Sequence, residues 1–370
     1  MKKLVVVTGS RAEYGVLSSF LRLAKQSEVF DLHLVVAGMH LSDLYGKTIQ
    51  EVESDGFRIS GRVEMILPEN SPTSAAKELS RGVAGFTETF ASLAPSMVLV
   101  EGDRIEALAA SLAARYMNIP LVHSGGGDLT TTVDDAARHA ISIFAQTHFV
   151  STDKARQVLL GLRKNEEDIF VVGGLGIDTI MSMEYEPRAK VLDDIGLPAG
   201  ARYILVTFHP VPEYYDLCSY WADNVFQAAV ATGHFVVITF PNSDPGSLGI
   251  IASIHRFASS YLKVRFFASL GQRRYLNALK QCEVLLGNSS SGLYEAPSFM
   301  VPVVDVGLRQ DGRIRAANVI SCSYDFSDIQ AALHRTLMDE EFRATLPSTV
   351  NPYGDGHTAE RMLYVIQERI

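Results

Sequence analysis

Cysteine is scarce in this chain. Cys218, Cys282 and Cys322 are the full complement, and no two stand in a CxxC or any other short metal-ligand spacing. Neither a disulfide framework nor a structural zinc site is expected from so few, so widely spaced thiols. Concentrated positive charge is also lacking. The formal net charge is −9 and the Lys and Arg residues form no basic block. Nucleic acid demands clustered cations along its phosphates, so no nucleic-acid partner is expected. A small phosphorylated ligand needs only a few positive groups and stays open. Long apolar runs are missing as well, and no segment approaches the roughly 20 residues of a membrane span. The opening MKKLVVVTGS is too short in its apolar part for a signal peptide and reads as a first buried strand. No membrane partner is expected, and the cytoplasm is the expected location.

What is present is a regular alternation. Short Val- and Ile-rich runs at 3–8, 32–37, 97–101, 119–123, 147–150 and 169–172 are separated by helix-length amphipathic stretches. A second series follows at 203–208, 234–240, 263–267, 283–287 and 301–305. Near-continuous apolar strands punctuated by helices indicate parallel sheets covered on both faces. At 370 residues the chain exceeds one ordinary core. The expectation is an α/β protein of two doubly wound, Rossmann-like domains. They are expected over 1–180 and 181–350, with the boundary in the charged, Pro- and Gly-containing stretch 176–200. The tail 351–370 is expected to form a helix that returns to the first domain. Ligands in such folds bind beyond the carboxyl ends of the strands, so polar clusters there carry the functional reading.

Seven clusters follow strands. TGSRAEYG (8–15) lacks the GxGxxG dinucleotide fingerprint. Its Ser10 can cap a helix, and Arg11 would stand at the helix start, where free N–H groups favour an anion. EGDRIEALA (101–109) sends Asp103 and Arg104 out of a strand together. Asp103 is either a helix cap or an acid/base group whose pKa its burial and neighbours set. HSGGGDLTTTVDDAARHA (123–140) joins a glycine loop to adjacent carboxylates. A helix starting near Thr132 would pair Asp134 with Arg138 and Asp135 with His139 at i,i+4. With His123 close by, the group resembles an acid/base site. TFHP (207–210) carries His209 in extended backbone before a proline, where a loop-borne histidine suits a phosphate contact or catalytic proton transfer. FPNSDPG (240–246) offers Asn242 and Asp244 to read a base or to form turns. GNSSSGLYEAPS (287–298) breaks the GxSxG pattern of a serine nucleophile. Its Ser289 and Ser290 instead suit a diphosphate and Glu295 the vicinal hydroxyls of a ribose. GLRQDGRIRAAN (307–318) adds Arg309, Arg313 and Arg315 as positive charge near a phosphate.

The ordered set TGSRAEYG, GMHLSDLYGKT, GDR, DDxxRHA, FHP, GNSSSGLYEAPS and GxRQxGR resembles the hydrolysing UDP-N-acetylglucosamine 2-epimerases of sialic and legionaminic acid synthesis. The resemblance covers essentially the whole chain. It implies a glycosyltransferase-B type fold with the active site in the interdomain cleft and the nucleotide held mainly by the second domain. It implies elimination of UDP across C1–C2 to a 2-acetamidoglycal, then hydration to free N-acetylmannosamine, with no cofactor and no metal. By motif position, Asp103 is similar to the acid/base residue, and Asp134, Asp135 and Arg138 fall on the sugar-pocket segment. His40 matches a sugar-side histidine. Arg11, Arg104, His209, Ser289, Ser290 and Arg309 match diphosphate or nucleotide contacts. Glu295 matches the ribose carboxylate and Asn242 a position near the base. The partner implied is a UDP-sugar, and the assembly implied is a homodimer or homotetramer.

One stretch departs from the family. Where members often carry HIEGGE or HIHGGE, this chain has HSGGGD at 123–128. The ionisable third position is Gly125, and Asp128 keeps a shorter acid at the sixth. Another group takes over that proton step, or the pocket accommodates a different sugar, such as a UDP- or GDP-linked 2,4-diacetamido-2,4,6-trideoxyglucose. A glycosyltransferase, a non-hydrolysing epimerase and an inactive nucleotide-sugar sensor are the competing readings.

Overall fold

The computed structural model describes residues 1–69, 71–129 and 133–369. The chain forms two compact units. The first comprises Met1–Leu129, Val133–Ser182 and Tyr353–Ile370, and the second is Met183–Pro352.

The first unit is built on seven strands: β1 (Lys2–Thr8), β2 (Phe30–Ala37), β3 (Ile59–Val63), β4 (Met97–Glu101), β5 (Leu121–Ser124), β6 (Thr147–Val150) and β7 (Ile169–Val171). Their order is β3-β2-β1-β4-β5-β6-β7, and every pairing is parallel. The period of two along β1 explains why both faces are covered. Leu4 and Val6 join one core with Leu17, Phe20, Met362 and Ile366. Val5 and Val7 join the opposite core with Phe86, Phe90 and Ala110. Each fully buried phenylalanine of these layers contributes about 1.5–3 kcal/mol relative to exposure.

The second unit has six strands: β8 (Tyr203–Thr207), β9 (Phe235–Thr239), β10 (Val264–Phe267), β11 (Val284–Gly287), β12 (Val303–Val306) and β13 (Val319–Cys322). The order is β10-β9-β8-β11-β12-β13, again all parallel. Ile204 and Val206 pack with Phe226, Ala222 and Leu333. Eleven expected strands are present within two residues of their expected ends. Two were not expected, β3 and β13.

In both sheets the strand order reverses direction beside the first strand. The reversal lies between β1 and β4 in one unit and between β8 and β11 in the other. Crossover helices diverge to opposite faces at such a point, which opens a crevice at the strands' carboxyl ends. Gly287 closes β11 at φ +141°, where a Cβ would lie 2.1 Å from the Thr207 carbonyl oxygen. Only glycine lets the two strand ends approach this closely.

Asp178 ties the C-terminal helix Thr358–Arg369 into the first unit. Its buried carboxylate accepts from the backbone N–H groups of Thr358 (3.0 Å) and Ala359 (2.6 Å) at that helix's start. These donors have no partner within the helix, and a negative charge there also favours the helix dipole. Asp178→Ala is expected to lower the unfolding free energy by about 1–3 kcal/mol, read from urea denaturation of the full chain. An unchanged midpoint would remove this role.

Candidate active site

The first unit gathers its polar groups around the β1/β4 crevice. Beyond β1, Ser10 is the N-cap of the helix Arg11–Gln26, and Glu13 completes a capping box. Glu13 accepts from the backbone N–H groups of Gly9 (2.6 Å) and Ser10 (3.2 Å). Burial, and then the nearby Glu106 carboxyl, push the Glu13 pKa upward. Two N–H groups that the sequence leaves open to an anion are therefore taken by this side chain. Arg11 is the first helical residue and half-buried.

Beyond β4, Gly102 turns the chain at φ +73°. Asp103 does not cap the next helix. Arg104 is the N-cap of Ile105–Tyr116 and makes no side-chain cap bond. Its Nε instead lies 3.4 Å from Oε2 of the fully buried Glu106. Asp103 turns to Arg138, whose Nη2 donates to its Oδ2. Arg138 is 1% exposed. Its Nη1 donates to the Asp128 carbonyl at 2.7 Å and lies 3.5 Å from Asp135 Oδ1. One guanidinium thus links the end of β4, the glycine loop after β5, and its own helix Val133–Phe144. Asp135 also faces His139 at 3.4 Å, the expected i,i+4 pair. Asp134 stands beside it in the helix's first turn. Thr132, the expected helix start, lies outside the described residues.

Two histidines singled out from sequence are struts. His40 is fully buried. Its Nε2 meets Thr8 Oγ1 at 3.0 Å and its Nδ1 meets Thr48 Oγ1 at 2.8 Å. His123 is equally buried, with Nε2 2.8 Å from the Gly102 carbonyl and Nδ1 2.9 Å from Ser142 Oγ. A carbonyl can only accept, so His123 carries its proton on Nε2 and accepts from Ser142. It fixes the turn that presents Asp103. Both rings have their two nitrogens engaged by protein groups. Asp128 is buried, with Ser151 Oγ 3.5 Å from its Oδ1.

Glu101 was not singled out from sequence. It ends β4, and burial pushes its pKa up to about 7, against a lowering hydrogen bond from Ser124 and with a smaller rise from Asp128. Gly125 sits beside it at φ +81°, where a Cβ would lie 3.0 Å from Glu101 Oε1.

The second unit repeats the plan around β8 and β11. Asn288 is fully buried. Its Oδ1 accepts from the His209 N–H at 2.7 Å, and its Nδ2 donates to the His209 carbonyl at 2.9 Å. This two-point clamp holds the FHP loop against the serine stretch. His209 Nδ1 accepts from the Asn242 N–H at 3.1 Å, so Nε2 carries the proton of the neutral ring. Asn242 spends its side chain on Asp244, donating at 2.6 Å and accepting at 3.4 Å. The pair thus forms a turn after β9.

Ser289 and Ser290 are half-buried at the end of β11. Ser291 forms a relay, accepting from the Tyr275 hydroxyl at 2.8 Å and donating to Glu295 Oε2. Burial, followed by the Glu295 charge, raises the Tyr275 pKa. Glu295 is thereby oriented before any ligand arrives. The Asn288 carbonyl accepts from Gln310 (2.8 Å) and Arg309 (3.4 Å). Arg313 donates to Gln310 at 2.6 Å. Arg315, expected as charge for a phosphate, is committed to Asp305 at 2.9 Å and Asp311 at 3.0 Å. Asn288, Gln310 and Tyr275 went unread because an amide or phenol has no signature until its partner is known. Among the described residues, no group of three or more His, Cys, Asp or Glu side chains could hold a metal ion. Among the described residues, too, no helix is long and apolar enough to cross a membrane.

Burial holds His40 and His123 near pKa 4, and His148 near 3, all below the ordinary 6.5. The folded protein keeps them neutral, whereas the unfolded chain protonates them readily. Stability is therefore full above pH 6.5 and falls as the pH drops from there toward about 4. Thermal midpoints measured from about pH 7.5 to about pH 4.5 are expected to decline across this window. A flat profile would count against neutral buried rings. Arg138→Ala strands the Asp103 carboxylate beside a buried hole, and is expected to cost about 3–5 kcal/mol in urea unfolding. Near-wild-type stability would show that the bridge is dispensable.

The comparisons agree with this architecture. The family model for UDP-N-acetylglucosamine 2-epimerase matches residues 22–367. The UDP-N,N'-diacetylbacillosamine 2-epimerase (hydrolyzing) of Legionella pneumophila is 38% identical over 99% of this chain and 96% of its own. The polysialic acid biosynthesis protein P7 of Escherichia coli is 33% identical over 95% of this chain and 90% of its own. In fold, the chain matches a Neisseria meningitidis UDP-GlcNAc 2-epimerase solved with UDP-GlcNAc bound. That TM-score is 0.85 over 100% of both chains at 19% identity, which bears out the expected α/β, glycosyltransferase-B type fold. With the family model spanning nearly the whole chain, this protein belongs to the UDP-N-acetylglucosamine 2-epimerase family.

Proposed function

We propose that the protein is a hydrolysing 2-epimerase of a UDP-linked 2-acetamido sugar, UDP-N-acetylglucosamine or a close analogue. The observation that carries this reading is the buried Arg138 guanidinium holding Asp103 at the carboxyl end of β4, at the strand-order reversal. A carboxylate fixed there is the kind of group that removes a weakly acidic proton. In the reaction, Asp103 takes the C2 proton and the C–H electron pair forms the C1–C2 double bond. The C1–O bond breaks, and UDP leaves with its electrons. Water then adds its oxygen to C1 while a proton returns to C2 from the other face. No hydride moves, and no oxidant is needed.

Roles follow from chemistry and position. On the sugar side are Asp103, Asp128, Asp134 and Asp135, with Arg138 orienting them. On the nucleotide side, Ser289, Ser290 and Arg309 meet the diphosphate, and Glu295 accepts from the ribose hydroxyls. His209, held by Asn288, lies by the same strand end and can donate from Nε2 to a developing phosphate charge.

A second reading of the sugar is favoured by one residue. Gly125 places no side chain at a position where the loop turns tightly against Glu101, and the Legionella relative is named for a diacetamido sugar. This reading gives the substrate a second acetamido group, at C4. Proton NMR in deuterated water, with UDP-N-acetylglucosamine and UDP-2,4-diacetamido-2,4,6-trideoxyglucose, separates the possibilities. The expected products are UDP and a free, C2-inverted sugar carrying deuterium at C2. An inverted sugar still joined to UDP means a non-hydrolysing epimerase. Turnover only with an added acceptor means a glycosyltransferase. Asp103→Asn is expected to slow the reaction by at least about 100-fold while UDP still binds. Arg309→Ala is expected to weaken UDP binding instead. Unchanged catalysis in the Asp103 variant would reject its role.

A further inference from the structure

Inversion at C2 with passage through a planar glycal sets a requirement. The proton leaves from one face and arrives on the other, so one fixed carboxylate serves only half of the exchange. Two groups of opposite protonation are needed near the same carbon. Environments that push two neighbouring carboxyls apart are the usual solution.

Resting on the hydrolysing-epimerase reading, we propose that Glu101 is the second proton-transfer group, delivering the proton to C2 of the glycal. Four observations support it. Glu101 is two residues from Asp103, across the Gly102 turn. The two side chains have different surroundings: Asp103 meets the Arg138 guanidinium, whereas Glu101 has Ser124 and the neighbouring Asp128. Oε2 of Glu101 is buried and has no hydrogen-bond partner among the described residues. Leaving such an oxygen unsatisfied is costly, and a protonated carboxyl costs less there than a carboxylate. Finally, Oε1 lies 3.0 Å from the point a Cβ of residue 125 would occupy. A side chain at 125 would press on this carboxyl, and glycine leaves it room. The chain thus carries its acid on β4, beside the position where the HSGGGD loop lacks one. The raised pKa of about 7 agrees, since it keeps a proton on Glu101 near neutrality. The charged group that bears on Glu101 is Asp128, from the loop after β5, and the hydroxyl of Ser124, at the end of β5, hydrogen-bonds to it.

The step balances. In elimination, Asp103 gains the C2 proton and UDP departs. In hydration, the Glu101 O–H bond breaks and its proton forms the new C2–H bond. Water supplies the C1 hydroxyl and releases its remaining proton to solvent. Asp103 then loses its proton to solvent and Glu101 takes one from solvent, which restores the starting state.

The test compares wild type and Glu101→Gln with UDP-N-acetylglucosamine and the UDP-diacetamido sugar by proton NMR, with folding checked by circular dichroism. In the variant, UDP release is expected to persist, with the unsaturated glycal accumulating. Free inverted sugar is expected to form at least about 100-fold more slowly. Glu101→Asp, which keeps a shorter acid, is expected to recover part of that rate. Inverted sugar forming within about threefold of the wild-type rate in Glu101→Gln overturns the proposal. So does an equal loss of UDP release and sugar formation, which would put Glu101 in the elimination. If Glu101→Gln does not fold, Glu101→Asp decides: a wild-type hydration rate in it overturns the assignment. A wild type that releases no free sugar from either substrate defeats the hydrolysing reading itself, and this assignment with it.

Discussion

A guanidinium cannot be buried alone. Arg138 is 1% exposed, and its charge is tolerated only because Asp103, the Asp128 carbonyl and Asp135 surround it. That requirement organises the first unit's crevice. It draws together the end of β4, the glycine loop after β5 and the helix that follows. Segments that leave the sheet at two different strands, β4 and β5, are thereby held in one geometry. His123 supports the same turn from beneath, donating to the Gly102 carbonyl. Catalytic carboxylates need such fixed surroundings, because a misplaced base loses much of its advantage.

The second unit solves the same problem with neutral groups. Asn288 holds the His209 backbone at both its N–H and its carbonyl. The Tyr275–Ser291–Glu295 relay orients a carboxylate through two hydroxyls. The arginines divide their work. Arg315 neutralises Asp305, whose pKa burial has raised to about 6 against the arginine's lowering effect. Arg309 and Arg313 remain at the serine loop through Asn288 and Gln310.

The strands that sequence missed are β3 and β13, and both lie at sheet edges. An edge strand is paired on one side and half-solvated, so it can do without the continuous apolar run that the edge strand β7 keeps. ISGRV and VISC are accordingly mixed. The central strands were legible because burial on both faces leaves Val, Leu and Ile little competition. The site clusters were legible because they follow those strands. Their internal wiring was not. Nothing in the spacing of Asp103 and Arg138, 35 residues apart, announces their pairing. Sequence likewise does not show that Thr8, Thr48, Gly102 and Ser142 engage the nitrogens of His40 and His123.

The sequence by itself determined the parallel α/β plan, the places where polar loops leave the strands, and the family. Local pattern suffices for these, since apolar period and strand-end composition are properties of short segments. Only the tertiary structure decided which polar residues are struts and which remain for chemistry. Burial and partner geometry set that division, and both arise from residues brought together across long separations. Glu101 illustrates this. In sequence it is the last residue of a strand. In the fold it is a buried carboxyl with one oxygen unpartnered among the described residues, beside the glycine that leaves it room.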